Sequence, residues 1–234
     1  MMPPRWHEVS AIFGGRFDPP HVGHRMAVQG LFKEPGVQRV LIIPSASPPH
    51  KEAQVSAHHR LRLTQIAFES TPDSLLPAEI QIDDRELVRN QLHPHAPSYS
   101  FDTIQELKQI YPRLAFVIGA DQLLQLHTWH RFPEILTLCH WIVIERKSKQ
   151  AAQSEQRLQE WEASGILRKA QNQSWQLRGS AHFIQQVQTE APDLSSTQIR
   201  ESIVRTGEPP SGSLLPKVVE YLKQNRLYGM KSAP

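Results

Sequence analysis

A single cysteine, Cys139, occurs in 234 residues, so no disulfide can close within the chain. Long apolar runs are missing too. Stretches such as residues 40–43 and 141–144 fall far short of the roughly 20 residues a membrane-spanning helix needs. The opening MMPPRWHEVS lacks the apolar run of a secretory signal. Charge of one sign is not in excess either: 26 Lys and Arg face 23 Asp and Glu, for a formal net charge of +3. The basic residues are dispersed among acids, which argues against a nucleic-acid surface and for a mixed solvated face with local anion-binding spots. These absences lead to the expectation of a cytoplasmic protein with neither membrane nor nucleic acid as partner. With 39% hydrophobic residues the chain can bury one sizeable core, and a single domain over residues 1–234 is expected.

What is present alternates. Residues 8–13, 37–43, 78–82, 114–118 and 141–145 read as strands, several too continuously apolar for a half-exposed sheet. Between them, residues 21–32, 57–69, 101–109 and 122–138 read as helices, with apolar spacings of three and four such as Leu61, Ile66, Phe68 and Ile104, Leu107, Ile110. The pattern predicts an α/β fold, a doubly wound, Rossmann-like parallel sheet with helices on both faces. Residues 147–179 break the rhythm: they are rich in Gln and charge, with Leu158, Trp161 and Trp175 as isolated landmarks, and read as a surface helical excursion. A strand at 182–187 follows, and then a C-terminal helical part over 195–230, its second helix starting at Pro216, a usual place for proline.

The first strand runs into Gly14-Gly15-Arg16-Phe17-Asp18-Pro19-Pro20-His21-Val22-Gly23-His24, where a helix begins. Glycines let a ligand approach the backbone, and unpaired amides at a helix start favour an anion. His21 and His24, three apart, share one face of a first helical turn and can both donate to phosphate oxygens. A metal pair is the rival reading, but a metal site needs at least a third ligand and this segment offers only Asp18. After the second strand, Pro48-Pro49-His50-Lys51 forms a second basic cluster at the carboxyl end of a strand, where open α/β sheets bind ligands. Taken alone, a lysine on a proline-rich loop is solvated surface. Ser195-Ser196-Thr197-Gln198-Ile199-Arg200 sets hydroxyls at a helix start with an Arg on its first turns; by itself this is an ordinary N-cap.

Together these segments resemble the HxGH nucleotidyltransferase superfamily: residues 14–24 match its GxFDPxHxGH form and residues 195–200 its SSTxIR motif. The likeness covers most of the chain. Residues 48–51, 84–87, 97–100, 118–121, 128–130 and 215–228 are similar to the bacterial nicotinate mononucleotide adenylyltransferases. That resemblance implies transfer of AMP from ATP to the 5′-phosphate of nicotinate mononucleotide, with Mg²⁺ carried on the phosphates of ATP. It implies catalytic roles for His21, His24, Lys51 and Arg200 on the phosphates. For ATP it implies contacts from Gly14, Gly15, His21, His24, Gly119, Asp121, Ser196, Thr197 and Arg200. For nicotinate mononucleotide it implies Lys51, Ser100, Trp129 and His130, with the indole stacked on the pyridine. No general base is required, since the attacking phosphate is already ionised near pH 7.

The chain departs from the family pattern in places. Arg16 stands where a small hydroxyl or aliphatic residue is usual, and either adds a phosphate contact or partly blocks the loop. His130 replaces the more usual Tyr, and Ser100 the more usual Thr. Other acceptors used within the superfamily, such as nicotinamide mononucleotide or pantetheine phosphate, and a non-catalytic dinucleotide binder, are the alternative functions. A synthetase-like lysine loop at Lys147-Ser148-Lys149 reads better as a charged turn. A histidine-rich metal binder built on His58, His59, His93 and His95 is the rival from another class, but adjacent histidines point apart on a helix. The segment around Ile135 and residues 215–227 are suited to self-association.

Overall fold

The structure, a computed structural model, describes residues 8–34, 36–46, 53–69, 79–94, 96–145, 149–170 and 173–231. Strands and helices alternate: β1 (Val9–Gly15), α1 (Val22–Leu31), β2 (Val37–Pro44), α2 (Ala57–Phe68), β3 (Ile80–Ile82), α3 (Arg85–Leu92), α4 (Ser100–Lys108), β4 (Leu114–Gly119), α5 (Ala120–Gln125) and β5 (His140–Glu145). They continue with α6 (Lys149–Ala163), β6 (Leu167–Lys169), β7 (Ser174–Leu177), β8 (Phe183–Gln188), α7 (Ser196–Thr206) and α8 (Pro216–Gln224). The strands form one eight-stranded sheet in the order β3-β2-β1-β4-β5-β8-β7-β6. β1 with β4, β4 with β5, and β5 with β8 run parallel, in registers such as Phe13↔Val117 and Val117↔Ile142. The expected doubly wound fold is present. Leu114 to Ile118 are all buried, as a strand covered on both faces must be.

By its contacts the chain divides into two compact units. The first comprises Met1–Phe13, Gly30–Leu41 and Tyr99–Glu190, the second Gly14–Gln29, Ile42–Ser98 and Ala191–Pro234. β1 and β2 each begin in the first unit and end in the second. The first unit buries Val40, Ile104, Leu123, Trp141, Val143, Leu158, Trp175 and Ile184; the second buries Phe17, Ile42, Leu63, Phe68, Ile199, Ile203, Val218 and Leu222.

Three departures from the sequence reading have physical causes. Residues 122–138 are not one helix. After α5 comes a 3₁₀ turn at Leu126–Thr128, then a cis Phe132–Pro133 peptide and a second 3₁₀ turn at Glu134–Thr137. Pro133 has no N–H to give a helix, Arg131 adopts φ 59°, and the Thr128 hydroxyl donates back to the Gln125 carbonyl at 2.8 Å. The segment 147–179 contains α6, but also β6 and β7, which pair antiparallel with each other and onto β8 and so widen the sheet. Their sequences, LRK and SWQL, are too short and polar to announce strands. Glu145, buried at the end of β5, accepts hydrogen bonds from Ser154 of α6 and from Gln186 of β8 at 2.7 Å, which ties α6 to the sheet. Finally, α3 was invisible because only Glu86 and Leu87 of its eight residues are buried.

Candidate nucleotide-binding site

The second unit carries the glycine–histidine turn. β1 ends on Gly14 and Gly15, and Phe17 (φ 49°), Asp18 and a cis Pro19 lead to His21, just ahead of α1. The His21 carbonyl accepts from the His24 amide at 3.0 Å, and the His21 amide donates to His24 Nδ1 at 3.1 Å. The rings stack with centroids 3.7 Å apart. Because Nδ1 accepts, a neutral His24 carries its proton on Nε2. Gly23 lets the rings pack this closely: a Cβ there would lie 3.0 Å from His21 Nδ1 and 3.1 Å from Cε1, so the imidazole would have to shift. Phe17, buried, meets His24 edge-on at 5.2 Å and Phe68 at 5.8 Å, which braces the turn from below.

α7 comes to the same turn. Ser195 caps it in a reciprocal box, its hydroxyl accepting from the Gln198 amide while Gln198 Oε1 accepts from the Ser195 amide. The Ser196 hydroxyl donates to the Pro19 carbonyl at 2.8 Å. Arg200, 8% exposed, donates through Nη1 to the Asp18 carbonyl at 2.7 Å and through Nη2 to the Thr197 hydroxyl at 3.3 Å. Its Nε is buried with no hydrogen-bond partner. His21, His24, Ser196, Thr197 and Arg200 are therefore gathered at the end of β1. His50 and Lys51 lie outside the described residues.

Beneath the turn lies a network that sequence reasoning missed. Asp18 is fully buried; its carboxylate accepts from the Tyr228 hydroxyl at 2.6 Å and the Gln54 amide at 3.0 Å, with Arg200 Nη1 at 3.8 Å. Burial pushes the Tyr228 phenol up, and the hydrogen bond to Asp18 adds to the shift, so it stays a neutral donor. Arg60 of α2, 1% exposed, donates to the carbonyls of Arg16 (3.0 Å), Ser45 and Ala46 (3.0 Å), the backbone just beyond β1 and β2. Burial lowers its pKa, and the Asp18 carboxylate opposes that shift. The available signal was helical spacing: α2 buries Arg60, Leu63, Thr64, Ala67 and Phe68, a face with a cation in it; of Leu61, Ile66 and Phe68, read as the apolar face, Phe68 is buried and the other two are half-buried.

The first unit carries the other group. Gly119 ends β4, and Asp121 stands exposed in the first turn of α5; a Cβ on Gly119 would come within 2.5 Å of Asp121 Oδ1. Ser100 opens α4. Its neighbour Tyr99 stacks on His130 with centroids 4.1 Å apart, and Phe101 meets the His130 ring edge-on and lies under the Arg131 guanidinium at 4.2 Å. Trp129 is half-buried, edge-on to Phe116 and Trp141. The ring contacts of Tyr99 and Phe101 with His130 thus bring the start of α4, with Ser100, against the segment that carries Trp129 and His130. Among the described residues, no group of three or more His, Cys, Asp or Glu could hold a metal ion, and no helix is long and apolar enough to cross a membrane.

A mostly parallel sheet whose first strand runs into a glycine–histidine turn defines the nucleotidyltransferase class of α/β proteins. The cytidylyltransferase-like family model matches residues 12–202, and the chain belongs to that family. It is similar to the probable nicotinate-nucleotide adenylyltransferase of Yersinia pestis (strain Pestoides F), 32% identical over 227 residues, which cover 95% of this chain and 96% of the relative. The protein of the same name from Serratia proteamaculans (strain 568) is 34% identical over 224 residues, 93% and 94% of the two chains. In fold it resembles Plasmodium falciparum nicotinic acid mononucleotide adenylyltransferase complexed with NaAD, with a TM-score of 0.71, 17% identity, and 96% and 99% of the chains covered.

Proposed function

We infer that the protein transfers the adenylyl group of ATP to the 5′-phosphate of nicotinate mononucleotide, yielding nicotinate adenine dinucleotide and pyrophosphate in NAD biosynthesis. The observation that carries the reading is the gathering of buried His21 and Arg200 with half-buried His24 at the end of β1, in a chain matched over nearly its whole length by relatives named for this reaction. One phosphate oxygen attacks another phosphorus, so the protein has charge to neutralise and groups to hold in line rather than a covalent bond to make. His21 and His24 donate to the phosphates of ATP. Arg200, with Lys51, offsets charge developing on the departing pyrophosphate. Gly14, Gly15, Gly119, Asp121, Ser196 and Thr197 take the adenosine and phosphate side. The pyridine stacks on Trp129, and its carboxylate is held by the Ser100 hydroxyl and backbone amides near His130.

The donors gathered at the turn are imidazoles and a guanidinium, which suit phosphate oxygens and not a hard, oxygen-seeking cation such as Mg²⁺; Mg²⁺ therefore belongs on the phosphates of ATP. When bound there it neutralises phosphate charge and helps fix the geometry. Ser100 and the amides are donors, so an amide-bearing pyridine would present donors to donors, and each buried group left unpaired costs about 1–3 kcal/mol.

The test is pyrophosphate release with ATP and Mg²⁺, run in parallel on nicotinate mononucleotide and nicotinamide mononucleotide. The expected result is turnover on the acid at least tenfold above the amide. Equal rates would refute the acceptor assignment while leaving the phosphate chemistry; no turnover on either would refute the function.

A further inference from the structure

We propose that Tyr228, in the turn that follows α8, is a positioning residue for the phosphate site: its hydroxyl occupies one oxygen of the Asp18 carboxylate and thereby keeps Arg200 and the His21–His24 turn in place. The proposal rests on the adenylyl-transfer reading, because it concerns how the same site is held. Three segments far apart in sequence converge on Asp18, which is fully buried. Oδ1 takes the Tyr228 hydroxyl at 2.6 Å; Oδ2 takes the Gln54 amide at 3.0 Å and faces Arg200 Nη1 at 3.8 Å; the backbone carbonyl takes the same Nη1 at 2.7 Å.

Arg200 is thus drawn by two acceptors of one residue. Its better hydrogen bond is to the carbonyl, and the carboxylate stands just beyond bonding range. A carboxylate with one oxygen deprived of a donor, in a place water does not reach, seeks another; Arg60 and Arg200 each keep a buried, unpartnered Nε, and Arg200 is the one that pairs with this carboxylate, at 3.8 Å. The Tyr228 hydroxyl removes that pull. It leaves the guanidinium on the loop backbone, with Nε unspent.

The backbone at the C-terminal turn is built around this contact. Arg226 (φ 50°) and Tyr228 (φ 55°) both adopt left-handed conformations, which non-glycine residues keep only when their surroundings over-determine them. The conformation turns Tyr228 inward, to 9% exposure, against α7 and α8. A phenol that served only as packing would not need an oxygen delivered to a buried carboxylate three residues ahead of His21.

The experiment is Tyr228→Phe, which keeps the ring and removes only the oxygen. Thermal unfolding, hydrogen exchange of residues 14–24 and steady-state kinetics for both substrates are measured on the wild type and the variant. The expected result is a folded variant whose residues 14–24 exchange faster and whose kcat falls about tenfold, the effect of one lost hydrogen bond, with the KM for nicotinate mononucleotide changed less than twofold. In an Asp18→Ala background the same substitution adds less than a twofold loss, since it has nothing left to act through. A Tyr228→Phe protein with unchanged kcat, or with lowered stability alone, overturns the proposal, and unchanged exchange in residues 14–24 overturns it without reference to activity. Failure of the wild type to turn over would instead refute the adenylyl-transfer reading, with the exchange comparison still deciding the role of Tyr228.

Discussion

Removing the Arg60 guanidinium tests whether a buried cation can hold two loops together. Its three donations, to the carbonyls of Arg16, Ser45 and Ala46, bind the backbone beyond β1 to the backbone beyond β2. At 1% exposure no water can replace them. Hydrogen bonds to a charged group are worth about 1.5–3 kcal/mol each, but bringing the guanidinium out of water opposes part of that sum. Breaking a buried charged cluster by removing one partner typically costs about 3–5 kcal/mol, and that is the loss expected for Arg60→Met, which keeps much of the stem, leaves three carbonyls without this donor and removes a cation that interacts with the Asp18 carboxylate. Against a total stability of about 5–15 kcal/mol this is a large fraction. Arg60→Lys, with a charge but no fork, should fall between the two. Urea unfolding at pH 7 reads the stability; kinetics well below the variant's midpoint read the site, where slackened loops should lower kcat/KM at least about tenfold. A loss below about 1 kcal/mol, with kcat/KM within twofold of the wild type, would refute the reasoning.

Gly23→Ala places a methyl 3.0 Å from the His21 ring while improving the helix propensity of α1 by about 1 kcal/mol, so kcat should fall about tenfold with the unfolding midpoint unchanged or raised. A midpoint and kcat that fall in proportion would contradict this. Trp129→Ala should raise the KM for nicotinate mononucleotide up to about tenfold, the worth of one aromatic stack, and leave the KM for ATP nearly unchanged; equal effects on both would remove the indole from the pyridine. Burial, followed by the neighbouring His182, pushes the His140 pKa down to about 4. The unfolded chain therefore binds a proton that the folded one refuses, and stability should fall as pH drops from about 6.5 towards 4, by about 3 kcal/mol, and level off below. His140→Asn, which keeps an acceptor for the Phe183 amide, should flatten that part of the urea-midpoint profile; an identical profile would assign the acid sensitivity elsewhere.

The order of strands and helices and the turn at the end of β1 were legible because each rests on local signals. Continuous apolar runs mark the strands, and the spacing of His21 and His24 forms one helical face whatever lies around it. Lost from view were features whose partners lie far off in sequence. Arg60 sits among apolar neighbours on α2, and nothing within a helix turn reveals that its donors reach Arg16, Ser45 and Ala46. Tyr228 is 210 residues from Asp18. β6 and β7 are strands by virtue of β8 beside them, not by their own composition. The single helix read over residues 122–138 ends at Gln125 and passes into a 3₁₀ turn, and Pro133, a residue visible in the sequence and outweighed there by the apolar spacing around it, removes a donor that a resumed helix would need.

Among the described residues the two outermost strands of the sheet, β3 and β6, are three residues each, and β6 carries Arg168 and Lys169. An open sheet exposes unpaired backbone at its rims, where another molecule's strand can dock and extend it indefinitely. Rims this short offer a docking strand few hydrogen bonds, and at one of them the cations would have to surrender hydration. Six strands of strongly apolar or mixed character are thus shut between two poor templates, which protects a crowded solution of this protein from fibrous association without spending any residue of the nucleotide site.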